Sequence, residues 1–266
     1  MSLAFQGTAW ALSSIGLAEV SAALGVHAPE IWALLAVETS GCGYLPDRRP
    51  QILYERHIFH RLTGGRFDDG NLSDSSAGGY GPRGGHQYDR LGEAIGKDRK
   101  AALQSSSWGL AQIMGENFAE AGFTDVEEMV AAMTRSEDEQ LAALASFLTA
   151  TKLRAALRAH DWTTFARGYN GPNFAIHRYD VRLNAEYRKY SSGVLPDLDV
   201  RAVQLYLTYL GFHAGAIDGI AGQHTLSAFE EFQARNGFPP ISAIDARAVP
   251  QLRSALEAID RVPDAA

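Results

Sequence analysis

Along most of the chain, apolar residues recur at the spacing of an α-helix, and this pattern constrains the fold more than any other feature. Apolar residues recur at helical spacing over 16–25, 29–40, 51–62, 88–104, 109–121, 136–158, 161–168, 174–190, 199–210, 223–236 and 245–258. The Gly-rich stretch 64–85 is the exception and is predicted to be a mobile loop or a short hairpin. The pattern therefore favours a mainly α fold with a small β component.

Composition excludes several classes of protein. The chain has 266 residues, of which 46% are apolar and 21% are charged, so it is long and apolar enough to build a substantial core. A formal charge of −7 argues against nucleic acid as a partner. No apolar run approaches the roughly 20 residues of a membrane span, and no secretory signal is evident. The single cysteine, Cys42, rules out an internal disulfide. Without a coiled-coil stripe, we expect a monomer.

A short turn-forming segment divides the chain into two predicted domains. Residues 193–197 are predicted to be a linker between a domain over 1–192 and a domain over 198–266. The second domain contains three short amphipathic helices, and a single apolar stripe on the first of them is formed by Val200, Val203, Leu207 and Leu210. This pattern predicts a small three-helix bundle.

One acidic residue continues the apolar stripe of its helix. Glu38 follows Ile31, Leu34 and Leu35 at helical spacing, so its side chain is predicted to face the protein interior. It also lies in the last turn, where the helix dipole opposes a negative charge. Both effects favour the protonated form, which a general acid requires. The alternative is a Glu at the rim of the stripe, solvated or paired with Arg56.

Two further segments strengthen the catalytic interpretation of Glu38. The stretch 105–115 is a Ser-rich approach followed by Gly109 and then Gln112. The stretch 165–172 ends a helix with Tyr169 and Asn170. Taken singly, the first is consistent with a helix-surface amide and the second with a helix cap followed by a turn. Their order after Glu38 makes the set more specific than its members.

This ordered set resembles the lysozyme superfamily, including goose-type lysozymes and soluble lytic transglycosylases. It is most similar to the N-acetylmuramidase family of phage endolysins. The motifs that carry the similarity lie at 37–41, 52–57, 107–109 and 169–172, and the resemblance covers residues 15–190. It implies a lysozyme-like α+β catalytic domain that acts on the glycan of the bacterial cell wall.

The C-terminal segment resembles a different family, the three-helix peptidoglycan-binding module. The matching positions are 203–204, 210–211, 217–219, 222, 225, 228–229 and 232–233, while 244–247 departs from the usual start of the third helix. The wall-binding residues that this resemblance implies are Gln204, Asp218, Thr225 and Gln233. Bacterial peptidoglycan is thus the expected partner of both domains.

The resemblance also assigns roles at the catalytic site. Glu38 would protonate the oxygen of the bond between N-acetylmuramic acid and N-acetylglucosamine, and Glu55 is the candidate second carboxylate. The alternative for Glu55 is an ion pair with Arg56 or a charge on the helix surface. The other acidic candidates are Asp47, Asp68, Asp69 and Asp74. The expected substrate-binding residues are Ser107, Trp108, Gln112, Tyr169 and Asn170. Trp108 either stacks on a sugar or belongs to the core.

Two other activities remain open on the same motifs. A lytic transglycosylase would use Glu38 as the acid but would attack with the muramic 6-hydroxyl instead of water, so it could dispense with Glu55. A cell-wall-binding protein without catalysis would only grip the glycan. In either enzyme interpretation, the chain is expected to be made in the cytoplasm and to act at the cell wall, as a phage endolysin or a secreted effector.

Other candidate chemistries have less support in the sequence. His57 and His60 are spaced to share a metal, but no Cys pair or His-Glu-x-x-His motif accompanies them. Cys42 with His57 is better explained as a buried thiol than as a nucleophile. The Gly-rich stretch 78–85 fits a flap better than a phosphate-binding loop, and Asp218 lacks the other acids of a calcium loop. We therefore expect no metal and no cofactor.

Overall fold

The structure, a computed structural model, describes residues 4–38, 42–239, 243–245 and 247–261. The residues 39–41 in the first predicted motif, and 240 and 246 near the third bundle helix, lie outside this range. The α-helices are α1 (Ser14–Leu24), α2 (Ala28–Glu38), α3 (Arg56–Thr63), α4 (His86–Ile95), α5 (Arg99–Gln104), α6 (Val126–Arg135), α7 (Glu137–Ala150), α8 (Leu153–Arg158), α9 (Trp162–Asn170), α10 (Tyr179–Ser192), α11 (Leu198–Tyr209), α12 (Gln223–Asn236) and α13 (Ala248–Asp260). The strands are β1 (Ile52–Tyr54), β2 (Ser106–Trp108) and β3 (Ile113–Met114). The prediction of a mainly α fold with a small sheet is confirmed.

Polar caps fix where many of these helices begin. The Ser13 hydroxyl accepts a hydrogen bond from the Gly16 amide at the start of α1, at 3.0 Å. Such caps satisfy N–H groups that have no partner inside the helix. The same role is played at α5, α6, α7, α9 and α11 by Asp98, Asp125, Ser136, Asp161 and Asp197.

The sheet interrupts two of the predicted helices. Residues 52–54 form β1, which pairs antiparallel with β2, so only the second half of the predicted helix 51–62 is helical. The predicted helix 109–121 is also wrong. Gly109 and Gln112 have positive φ values of 69° and 49°, and they turn the chain from β2 into β3. A left-handed backbone cannot continue an α-helix, and strand pairing supplies the alternative hydrogen bonds.

Smaller differences concern breaks and one helix that the pattern did not indicate. The predicted helix 88–104 is divided into α4 and α5. Helix α6 was not predicted, and 136–158 is divided into α7 and α8. The Gly-rich stretch 64–85 contains neither helix nor strand, in agreement with its composition.

The N-terminal end of α7 connects three separate parts of the chain. The Gln140 carbonyl oxygen accepts from the Leu110 amide at 2.6 Å, and its amide donates to the Met133 carbonyl at 2.8 Å. Glu137 accepts from the Gly43 amide at 2.8 Å. Because Glu137 and Gln140 are buried, these bonds are protected from water and fix both the turn after β2 and the segment that follows α2.

Helices α11, α12 and α13 build a second apolar core. Val203, Leu207, Phe229, Phe232 and Leu252 are buried within it. The predicted stripe on α11 is buried at Val200, Val203 and Leu207 and partly buried at Leu210. A three-helix bundle is thus present, although its third helix is displaced toward the C-terminus from the predicted 245–258.

The bundle is docked on the rest of the protein. Its core includes Ala9, Ala11, Cys42 and Tyr44 from outside the bundle. The Tyr206 hydroxyl also accepts from the Ala11 amide at 3.0 Å. The linker at 193–197 and the two domain ranges stay predictions.

No single helix among the described residues combines the length and apolar character of a membrane span. The bent pair α1 and α2, at 104° to each other, meets those limits only when taken together.

Replacing Gly43 tests the packing between α7 and the segment after α2. A Cβ at this position would lie 2.0 Å from Gln140 Oε1 and 2.9 Å from the Leu110 nitrogen. We expect Gly43→Ala to lower the free energy of unfolding by about 2 kcal/mol, because a well-packed interior resists an added methyl group. Urea denaturation measures this.

Gly92→Ala is the matched control. A Cβ on Gly92 meets no atom within 4 Å, and the residue lies inside α4. This variant should be stabilised by roughly 0.5 kcal/mol through helix propensity. Equal stabilities of the two variants would contradict the close contact at Gly43.

Candidate active site

Glu38 ends helix α2, directly after a segment that is almost wholly buried. Ile31, Leu34 and Leu35 cover one side of it, and Glu38 itself is partly buried. The Tyr179 hydroxyl, at the start of α10, donates to the Glu38 carboxyl group. The side chain is therefore held between α2 and α10, and it does not lie free on the surface.

The environment of Glu38 favours its protonated form. Burial raises the pKa of Glu38 to about 8, although the charge of Arg182 and a hydrogen bond from the Asn170 side chain act in the opposite direction. Arg182 is exposed and also donates to the Val37 carbonyl at 3.2 Å, so water screens its charge. The direction of the shift agrees with the one expected from the position of Glu38 on its helix. At neutral pH the group carries a proton that it can donate.

The end of α9 joins Glu38 to the β2–β3 turn. Asn170 forms a hydrogen bond to the Glu38 carboxyl group. Burial, together with the nearby Glu38 charge, raises the pKa of Tyr169 well above its ordinary value. The Tyr169 hydroxyl donates to the Ala111 carbonyl at 2.7 Å. Two of the predicted motifs therefore meet next to the candidate acid.

Ser107 and Gln112 form one hydrogen-bonded unit on the sheet. The Ser107 hydroxyl donates to Gln112 Oε1 at 2.8 Å. Gln112 Nε2 in turn donates to the carbonyls of Gly109, at 2.8 Å, and Gln51, at 3.2 Å. The Gln112 side chain is thus oriented by the turn that carries it, and it is partly exposed.

Trp108 belongs to the core, which decides between its two alternatives. Its side chain is fully buried, and its Nε1 donates to the Leu103 carbonyl at 3.1 Å. The expectation that Trp108 stacks on a sugar is therefore corrected, since neither face of the indole is accessible. Residues of β2 alternate between the two faces of the sheet, so Ser107 and Trp108 point in opposite directions.

Glu55 lies directly after β1 and is paired with a histidine, not with Arg56. Glu55 Oε2 is 3.2 Å from His57 Nδ1, and the Glu55 side chain is 16% exposed. Burial raises the pKa of Glu55, and His57, Tyr80 and Arg90 oppose this effect. The side chain does not cap α3, although Glu55 occupies the N-cap position. Its carboxyl group is thus held by His57 and Tyr80 and not by the first turn of α3.

Arg56 and Arg90 attach the Gly-rich loop 64–85 beside Glu55. The Arg56 guanidinium donates to the Ser76 carbonyl at 3.1 Å and lies 3.5 Å from Asp74. Arg90 donates to the Tyr80 carbonyl at 3.0 Å. The loop is therefore held at defined points next to the candidate second carboxylate.

The other acidic candidates already have partners. Asp47 pairs with Arg49 at 2.7 Å, and Asp68 pairs with His60 at 2.7 Å. Asp69 accepts hydrogen bonds from backbone amides at 71–73. With Asp74 paired to Arg56, each of these groups stabilises the loop or its neighbours.

Cys42 is a buried thiol. Its Sγ donates to the Tyr44 carbonyl at 3.1 Å, and burial together with the Glu137 charge raises the pKa of Cys42 to about 11. His57 pairs with Glu55, whereas His60 pairs with Asp68. Within the described ranges, no three His, Cys, Asp or Glu side chains lie together as a metal site.

In the bundle, two of the predicted wall-binding residues, Gln204 and Thr225, form a buried support under one loop. Gln204 Oε1 accepts from the amides of Asp218 and Gly219, and its Nε2 donates to the Thr225 hydroxyl at 3.1 Å. Gln204, Thr225 and Gln233 are all buried, whereas Asp218 is exposed. Direct contact with the cell wall is thus open to Asp218, while Gln204 and Thr225 shape the loop that presents it.

Sequence reasoning missed several residues around Glu38. From α10, Tyr179 donates a hydrogen bond to the Glu38 carboxyl group, and the charge of Arg182 lowers the pKa of Glu38. Gln51, whose carbonyl accepts from Gln112 Nε2 on the β2–β3 turn, was also missed. The helical spacing of Tyr179 and Arg182 was a usable signal, because residues three apart share one helix face. Their nearness to Glu38 depends on how α10 packs on α2.

Comparisons with known proteins agree with this arrangement. The sequence model of the N-acetylmuramidase family matches residues 27–191, and a putative peptidoglycan-binding domain matches residues 196–240. The chain belongs to the N-acetylmuramidase family. It joins an N-acetylmuramidase domain to a putative peptidoglycan-binding domain.

A solved structure supports the same assignment. The crystal structure of the Burkholderia AP3 phage endolysin is 40% identical in sequence and has a TM-score of 0.62, over 68% of this chain and 70% of that chain. A search of curated proteins found no match.

The raised pKa of Glu38 makes a prediction about stability. Between its ordinary value of 4.5 and about 8, the folded protein holds a proton on Glu38 that the unfolded chain releases. This contribution to stability is complete below pH 4.5 and is lost as the pH rises through 8. Glu38→Gln lacks this contribution at every pH. As the pH rises from 4 to 9, the free energy of unfolding of the variant should therefore increase relative to that of the wild type, by on the order of 3 kcal/mol.

Urea denaturation of both proteins at several pH values measures this difference. Glu93→Gln, an exposed change of the same type on α4, should show a difference that is independent of pH. A constant difference for Glu38→Gln as well would show that the acid is not desolvated.

Proposed function

We propose that the chain is a glycoside hydrolase that cleaves the bond between N-acetylmuramic acid and N-acetylglucosamine, with Glu38 as the general acid. The observation that carries this proposal is the buried position of Glu38 at a helix end, where its pKa is raised to about 8. A protonated carboxyl group is needed to transfer a proton to the departing glycosidic oxygen. Asn170 and Tyr179 hold that group in a fixed orientation.

Glu55 is the proposed second carboxylate. After the bond breaks, the sugar carries a positive charge that a carboxylate can stabilise, attack, or relieve by activating water. The pairing of Glu55 with His57 and the nearby Arg90 lowers the pKa that burial raises. These two neighbours therefore favour the ionised form that the role requires, against the larger effect of burial.

Substrate binding is proposed for four polar residues of the predicted motifs. Ser107 lies in β2, Gln112 on the β2–β3 turn, and Tyr169 and Asn170 at the end of α9. Their hydroxyl and amide groups are suited to sugar hydroxyls and acetamido groups. Peptidoglycan is a polymer, so a bound bundle would keep the catalytic domain near its next substrate bond. Action at the cell wall after synthesis in the cytoplasm is part of this proposal.

A lytic transglycosylase is the second candidate, and one observation favours it. Burial raises the pKa of Glu55, which works against a permanently ionised second carboxylate. A transglycosylase can proceed without that group, because the muramic 6-hydroxyl replaces water and gives an anhydro product.

Glutamine substitutions separate these reactions. On purified sacculi, Glu38→Gln should reduce activity at least about 1000-fold, because no group replaces the acid. Glu55→Gln should reduce activity at least about 100-fold if the chain is a hydrolase, and less than about 10-fold if it is a transglycosylase. Turbidity gives the rates, and mass spectrometry separates reducing from anhydro ends.

Glu93→Gln serves again as the matched control and should retain the wild-type rate. Equal activity of Glu38→Gln and the wild type would refute the proposed acid. Products with anhydro ends throughout would show that the chain is a transglycosylase and not a hydrolase.

The pH dependence of kcat/KM is a separate prediction. Protonated Glu38 is lost above its pKa, so kcat/KM should fall about tenfold per pH unit above pH 8. Arg182 lowers that pKa, so Arg182→Met should move the falling limb to higher pH by about half a unit. Arg188→Met, an exposed change on the same helix, should leave the limb in place. A limb that moves to lower pH in Arg182→Met would contradict the assignment to Glu38.

A further inference from the structure

The Glu137 carboxylate, at the start of α7, is fully buried and receives donors from both domains. Both terminal nitrogens of Arg201 donate to it, one of them at 2.8 Å to Oε1. The Leu12 amide donates to Oε2 and the Gly43 amide to Oε1, each at 2.8 Å. Arg201 lies on α11 of the bundle and is 1% exposed. A cation of the bundle thus neutralises a buried anion of the catalytic domain.

Glu137 is connected through Gly43 and Gln51 to the turn that carries Gln112. Gly43 follows Glu38 closely in the chain, and its carbonyl accepts from the Gln51 amide at 2.7 Å. The Gln51 carbonyl then accepts from the Gly109 amide at 2.8 Å and from Gln112 Nε2 at 3.2 Å. The position of Glu137 therefore affects both the segment after α2 and the turn that carries Gln112.

A second connection runs along α7. Gln140 lies one turn after Glu137 and accepts the Leu110 amide at 2.6 Å. The carbonyl of the next residue, Ala111, accepts the Tyr169 hydroxyl at 2.7 Å. Since Asn170 follows Tyr169 and bonds to Glu38, the first turn of α7 supports the candidate site from two sides.

The contact between bundle and catalytic domain is unlike that of a freely moving tether. Cys42 and Tyr44 pack in the bundle core, and the Tyr209 hydroxyl donates to the Ala9 carbonyl at 3.0 Å. The Arg48–Asp260 pair adds a partly exposed contact at the edge. A buried ion pair with two partners in different domains is lost if the domains separate, and each charge would then be left desolvated or exposed to water.

We infer that the C-terminal bundle is a working part of the catalytic unit, and that Arg201 is a positioning residue for the reaction. Arg201 acts through Glu137, which holds the backbone at Gly43 and, through α7, the turn that bears Gln112. This inference rests on the proposed function of Glu38. It assigns the bundle an effect on turnover in addition to wall binding.

Arg201→Met tests the inference in the full-length protein on a soluble glycan of two disaccharide units. We expect kcat to fall at least tenfold while KM changes less than twofold, because substrate contacts remain and only the catalytic geometry is released. Binding to sacculi, measured by sedimentation in a Glu38→Gln background, should stay within twofold. The double variant Arg201→Met with Glu137→Gln removes both charges and should recover at least threefold in kcat over the single variant.

Arg48→Met is the matched control. It removes the edge ion pair between the same domains without touching Glu137, so its kcat should stay within twofold of the wild type. A folded Arg201→Met protein with wild-type kcat would overturn the inference, as would a loss confined to sacculus binding. Rates on the soluble glycan are taken relative to the wild type, and Glu38→Gln is assayed on this glycan as well, so a failure of the proposed acid is seen separately from a failure of this inference.

Hydrogen exchange of the wild-type protein gives a second measurement if Arg201→Met does not fold. The amides of Gly43 and Leu110 should exchange as slowly as those in the middle of α11, because the inferred contact makes them open together. Exchange of Gly43 and Leu110 at least 100-fold faster than α11 would overturn the inference.

Discussion

The Glu137 carboxylate is buried where α7 begins, and the desolvation of its charge constrains everything that packs around it. A buried anion requires a matched cation and further donors, and here Arg201 and the amides of Leu12 and Gly43 supply them. These donors come from the N-terminal segment, the segment after α2, and the bundle. The same interaction that satisfies one charge therefore fixes three distant parts of the chain relative to one another.

Glu137 and Glu38 illustrate how removal of a carboxyl group from water gives different results in different surroundings. Glu137 has a fully buried guanidinium in a two-point contact. Among the described residues, the cation that acts on Glu38 is the exposed Arg182, together with neutral donors from Asn170 and Tyr179. Without a buried counter-charge, burial raises the pKa of Glu38 to about 8. The first arrangement stabilises a structure, and the second keeps a proton ready for transfer.

Local patterns were sufficient for part of the fold and part of the site. The position of Glu38 on an apolar helix stripe and the Gly-rich loop could both be predicted because they depend on nearby residues. The residues 52–54 and 109–121 were predicted as helix, since strand pairing depends on partners far apart in sequence. Trp108 was open between sugar stacking and the core, and only burial by distant residues decides it.

The sequence by itself determined the helical class, the two-part organisation and the candidate acid, because periodicity and the order of motifs can be read from the residue order alone. The tertiary structure decided which side chains surround that acid and how the bundle is attached. Glu55 pairs with His57, Arg56 turns to the loop, and Arg201 reaches Glu137. These outcomes depend on which charges are removed from water together, and desolvation is a property of the packed chain that no local pattern contains.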